Sequence, residues 1–133
     1  MKYILLLGRI LYSLIFILSG ASHFLPSTIE FAEKSGVPMT EIMVPLSGAI
    51  AILGGISILI GYRAKVGAWL LVIFLVPITA LMHQFWNVSN SEIAMLQFTM
   101  FMKNLSMLGA ALIIAYFGSG PLSVTKGKGL RRA

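Results

Sequence analysis

The chain has no cysteine and only four acidic residues among its 133 positions, and each scarcity removes a class of chemistry. Without thiols there is no thiol–disulfide relay, no cysteine-ligated iron–sulfur cluster and no covalently attached c-type haem within this polypeptide. The four acids, Glu30, Glu33, Glu41 and Glu92, lie in or beside the segments between long apolar runs. No paired carboxylates, phosphate loop or nucleophile beside a base can be assembled from that pattern, so stand-alone hydrolytic or transfer chemistry is not expected. Charge of either sign is sparse: 11% of residues are charged against 58% hydrophobic, too little polar side chain to cover a water-soluble fold. The composition is that of an integral membrane protein.

Four runs, at about residues 4–25, 43–61, 66–84 and 96–117, have the roughly 20-residue length that crosses about 30 Å of hydrocarbon as helix. The expected fold is all-α: a four-transmembrane-helix bundle forming one membrane domain over residues 1–133, with no soluble lobe. Lys2, the first apolar run and the small residues at 19–22 imitate a signal peptide, but Arg9 inside the run and its full spanning length favour a retained helix.

Topology follows from charge, because Lys and Arg in short loops stay on the cytoplasmic side. Lys2 and Arg9, then Arg63 and Lys65 in "GYRAK", then Lys126, Lys128, Arg131 and Arg132 in a basic tail over 118–133 all fall on one side. The other side receives the four glutamates against Lys34. Both termini are therefore expected in the cytoplasm, and the net charge of +6 is accounted for by topology and anionic lipid rather than nucleic acid. In the first outer loop "STIE" reads as a capping box with Ser27 as N-cap and Glu30 reaching back, and Gly36 and Pro38 as stops. A short helix over 28–35 on the outer membrane face is predicted, with Ile29 and Phe31 toward lipid or bundle.

Helices in lipid pack through small residues that let backbones approach. Ser47, Ala51 and Gly55 recur at spacing four in the second span beside Gly48 and Gly54, Gly109 sits with Ser106 and Ala110 in the fourth, and Ser13 and Gly20 lie in the first. Packing within one chain is the first reading of these seams; a homodimer through the second span is the alternative. Pro77, within the third span, removes one helix hydrogen bond and can open space for a ligand.

The same topology puts His23, His83 and Gln84 near the outer ends of spans, and Lys103 and Asn104 roughly 9 to 12 Å below the outer end of the fourth, at ~1.5 Å per residue. A lysine at the bilayer centre costs about 2.5–3.5 kcal/mol and needs compensation. One reading has Lys103 snorkelling to headgroups and the histidines sitting at the interface. A second makes His23, His83, Gln84, Lys103 and Asn104 line a pocket in the outer leaflet that holds the head of an amphipathic molecule; a third makes them a structural cluster. Imidazole that can shuttle protons, with donors that polarise carbonyl oxygens, suits a quinone. Haem or metal is disfavoured, because no i, i+4 histidine pair, carboxylate cluster or third ligand supports it.

"GRILYSLIFILSGASHF", "SGVP", "ILGGISILIGYRAKVGAWLL", "HQFW" and "FMKNLSMLGAALIIAYFGSGPLS" together resemble the DoxX family of small bacterial four-helix membrane proteins. The resemblance covers nearly the whole chain and matches family patterns at Gly8, Arg9, Ser19, Gly20, Gly54, Gly55, Lys103, Asn104 and Gly109. It departs at Ala51, where many members carry a glutamate before the paired glycines. The resemblance implies the bacterial inner membrane and an accessory subunit of a quinone-linked or stress-related redox system. In that role Lys103 and Asn104 would polarise the head group, and His23 or His83 would exchange protons. A non-enzymatic scaffold for a soluble partner, or a small-molecule or lipid carrier, are the alternatives.

Overall fold

Local signals set the helix ends in the computed structural model, which describes residues 1–125. Helix α1 spans Lys2–Ser22, α2 Pro26–Lys34, α3 Thr40–Ile60, α4 Ala64–Met82 and α5 Ser91–Phe117, with a single 3-10 turn at Phe85–Asn87 before α5. Among the described residues, four of these segments are long and apolar enough to cross a membrane, and the protein is an all-helical membrane bundle. Of the expected basic tail, residues 126–133, with Lys126, Lys128, Arg131 and Arg132, lie outside the described residues.

Two local expectations are corrected. The capping box does not form: Leu25 is the N-cap of α2 in extended backbone, and Pro26 takes the first helical position, where its missing N–H costs nothing. Glu30 instead accepts from Lys34 at 2.6 Å, an exposed i, i+4 pair of small energetic worth. Helix α5 starts five residues before Leu96, because Asn90 caps it by accepting from the backbone N–H groups of Glu92 and Ile93. Its 27 residues reach ~40 Å at 1.5 Å each, so Lys103 lies roughly 18 Å from the start of the helix rather than roughly 9 to 12 Å.

The stripe Arg9, Ser13, Phe16, Gly20, His23 runs down one face of α1 at steps of three and four, and all five are buried. It packs on α3, which is the centre of the arrangement. A methyl group at Gly48 would stand 2.6 Å from the Gly20 carbonyl oxygen, and one at Gly20 2.8 Å from the Gly48 carbonyl oxygen, so here the two backbones touch. Gly55 faces Ser13, Phe16 and Ile17 of α1, while Gly54 turns the other way, onto Gly67 and Leu71 of α4. Ala51 is fully buried in the α1 seam. Gly48, Ala51, Gly54 and Gly55 of α3 are thus buried in contacts within one chain. Gly109, expected among the packing glycines, is exposed, and a methyl group there would meet nothing within 4 Å.

Helix α5 packs against α4, and a hydrogen bond from the Tyr12 hydroxyl to the Met107 carbonyl, 2.8 Å, ties α1 to α5. At the end of the bundle opposite α2, Gly61 closes α3 in the left-handed conformation, φ 71°, with the Tyr62 N–H bonded to Ser57 O in a Schellman pattern. The chain after α5 returns over this turn. Val124 and Thr125 donate their backbone N–H groups to Ile60 and Gly61, the Arg63 N–H donates to Thr125 Oγ1, and the buried Arg9 guanidinium donates to the Leu122 carbonyl.

Candidate functional site

At the α2 end of the bundle the packing of α3 on α4 leaves a cavity of about 380 Å³, roofed by α2 and the chain leading from it. Its walls are Val44, Ser47 and Ile50 of α3 and Ile73, Phe74, Pro77, Ile78 and Leu81 of α4, with Thr28, Ala32 and Pro38 above and His23 at the end of α1. The lining is almost wholly apolar and carries no charged side chain. Leu46, Ile73 and Leu81 of the lining are also exposed on the flank of the bundle, which in a membrane faces lipid tails. A cavity of this size and lining suits a small apolar ligand oriented by a few polar groups.

The polar group with a defined role is His23. Ser47 donates its hydroxyl proton to the Val44 carbonyl at 2.7 Å, the usual backbond of a helical serine. Having spent its single proton, Oγ accepts from His23 Nδ1 at 2.8 Å. The ring is further fixed against Phe74, 5.8 Å between centroids. Buried beside the Gly20–Gly48 contact, His23 is held by packing and a hydrogen bond together.

Of the five side chains that the sequence places in one outer pocket, His23 alone lines this cavity. His83 Nδ1 bonds Gln97 Oε1 at 2.8 Å, joining the end of α4 to α5. Gln84 donates to the Ala80 carbonyl and accepts from Asn87, bracing the 3-10 turn, whose Phe85 packs edge-on against Phe98 and Phe101. Lys103 is exposed on α5 and, among the described residues, reaches only Met100 Sδ, 3.5 Å away; its neighbour Asn104 is buried. Helix α5 contributes nothing to the cavity wall. Besides His23, the sequence marks three of the residues that line it for other reasons: Ser47 as a packing residue, Pro38 as a helix stop and Pro77 as a helix break. The apolar α3 and α4 residues carry no such mark, and Gln97 as the partner of His83 follows only from the turn.

The DoxX family model matches residues 4–84, from the first spanning helix to the end of α4. The chain belongs to the DoxX family. It is similar to two proteins of Escherichia coli (strain K12). Inner membrane protein YphA is 25% identical over 125 residues, covering 92% of this chain and 89% of that protein. Inner membrane protein YqjF is 29% identical over 123 residues, covering 91% and 88% respectively. No solved structure matches. The match to the family model takes in every helix that builds the cavity, α1 to α4, and stops short of α5 and its Lys103–Asn104 pair.

Proposed function

We propose that this DoxX family member is a protein of the bacterial inner membrane that holds an amphipathic molecule in the α3–α4 cavity. The molecule we favour is a quinone, and the role that of an accessory subunit in a quinone-linked or stress-related redox system. The carrying observation is the cavity itself: about 380 Å³ with an almost wholly apolar lining, and one fixed imidazole at its polar end. The distribution of charge supports an orientation with both termini in the cytoplasm and the cavity in the outer leaflet. His23 then stands near the outer aqueous phase, where a ring nitrogen can accept a hydrogen bond from the head group of a quinol. Lys103 and Asn104, on a helix that does not wall the cavity, have no part in holding the ligand.

A second reading is favoured by the exposed flank of α5, where Lys103, Ser106 and Gly109 lie together. There the protein would act as a scaffold, seating a partner without binding a ligand. Titration of a quinone analogue against purified protein separates the two. The wild type is expected to bind, Ile78→Trp, which fills the cavity, to bind at least tenfold more weakly, about 1.4 kcal/mol, and Lys103→Ala to bind as the wild type does. Loss in Lys103→Ala with retention in Ile78→Trp would move the site to α5; no binding by any form would leave the scaffold.

A further inference from the structure

We infer that the cavity selects an uncharged ligand whose head group donates a hydrogen bond, such as a hydroxyl, over one whose head group only accepts. The inference rests on the cavity reading above and concerns what that site recognises. With the Ser47 proton engaged on the Val44 carbonyl, His23 Nδ1 must be the donor of the 2.8 Å bond between them. A neutral imidazole has one N–H, so Nε2 carries the lone pair, and among the described residues the ring makes no hydrogen bond through Nε2.

The wall opposite points the same way. Pro77 lies inside α4 and has no N–H, so the Ile73 carbonyl, one turn earlier, lacks its usual helix donor, and both residues line the cavity. The residues of the lining therefore include a ring acceptor with unmet capacity, His23 Nε2, a residue whose carbonyl has lost its helix donor, Ile73, and one group that can act either way, the Thr28 hydroxyl. A buried acceptor left unpaired costs about 1–3 kcal/mol, so a ligand that donates recovers what one that only accepts cannot. Among the described residues no Lys or Arg lines the cavity to hold a phosphate or carboxylate, and no acid to hold an amine. Applied to quinones, this favours the hydroquinone, with its two O–H groups, over the oxidised carbonyl form; applied to lipids, it favours an isoprenoid or fatty alcohol over a phospholipid.

The test uses two probes with one carbon skeleton, farnesol and farnesyl methyl ether, titrated against the full-length protein in detergent micelles. Farnesol is expected to bind at least tenfold more tightly than the ether, and His23→Phe to reduce that ratio to near one. Equal binding of the two by the wild type would overturn the hydrogen-bond inference while leaving the cavity reading intact. Failure of both probes to bind would overturn both. A preference that survives in His23→Phe would remove His23 from the recognition. Because His23 packs beside Gly48 and its replacement can unfold the bundle, the wild type is also read by ¹⁵N NMR of the ring: protonated Nδ1 and bare Nε2 are expected, and a proton on Nε2 would overturn the inference without any variant.

Discussion

Gly48→Ala is expected to lower stability by about 1–3 kcal/mol, the range for forcing a methyl group into a packed interior, whereas Gly109→Ala should leave it unchanged or raise it. Both are helix-interior glycines, and alanine is intrinsically better in a helix by up to about 1 kcal/mol. The difference lies in what the added carbon meets. At Gly48 it stands 2.6 Å from the Gly20 carbonyl oxygen and 2.7 Å from His23 Cβ, one of them main chain and the other the root of a side chain, so the helices themselves must separate. Separation of α1 from α3 also loosens the His23–Ser47 hydrogen bond, so the variant should lose ligand as well as stability. At Gly109 nothing stands within 4 Å. Unfolding midpoints in detergent for the two variants, measured side by side, check this; equal effects would mean that α1 and α3 do not meet at these glycines.

Gly61→Ala should release the segment that returns over the α3–α4 turn. Two costs act together there. The left-handed backbone, φ 71°, costs an alanine roughly 1–2 kcal/mol, and its methyl group would collide with Ser123 and with the Arg9 guanidinium. The nearest relief is for residues 122–125 to lift away, breaking the bonds from Val124 and Thr125 to Ile60 and Gly61 and leaving Arg9 without the Leu122 carbonyl. Arg9 already has two buried nitrogens, Nε and Nη1, with no partner among the described residues, so that bond is the one interaction offsetting its burial. Hydrogen exchange at the Val124 and Thr125 amides should accelerate at least tenfold in the variant, while amides in the middle of α3 and α4 stay protected. Unchanged exchange at 124 and 125 would show that the returning segment is held by something other than this turn.

These two glycines show what is legible in a membrane sequence. Four spans, their antiparallel order and the small-residue faces follow from apolar length and composition, since lipid demands helices and helices in lipid demand close approach. Of the inward face of α1, Ser13 and Gly20 are legible as a small-residue seam; that Arg9, Phe16 and His23 continue it appears in the structure. What the pattern does not carry is which faces meet. Lys103 and His23 both read as polar groups near one membrane surface, yet His23 lines the cavity and no residue of α5 does. The cavity walls are ordinary Ile, Leu, Val and Phe, whose arrangement around a void is a product of packing and leaves no trace in polarity. The polar start of α5 was hidden for a simpler reason: reading spans by apolarity passes over Asn90, whose cap begins the helix five residues before the hydrophobic run.

Gly109 is instructive in the opposite sense. It sits beside Ser106 and Ala110, as a packing glycine should, but a methyl group there would meet nothing within 4 Å. Small residues permit close approach without requiring it.

The central claim, that the α3–α4 cavity is where this protein holds its ligand, is tested most directly by where a photoreactive quinone analogue attaches. Membranes containing the protein would be irradiated with the analogue, with and without excess unlabelled quinone, and the labelled peptides mapped. Competable label on residues 43–50 of α3 and 73–82 of α4, which include the cavity walls, is the result expected. Competable label confined to α5 around Lys103, or label that excess quinone does not displace, would contradict it.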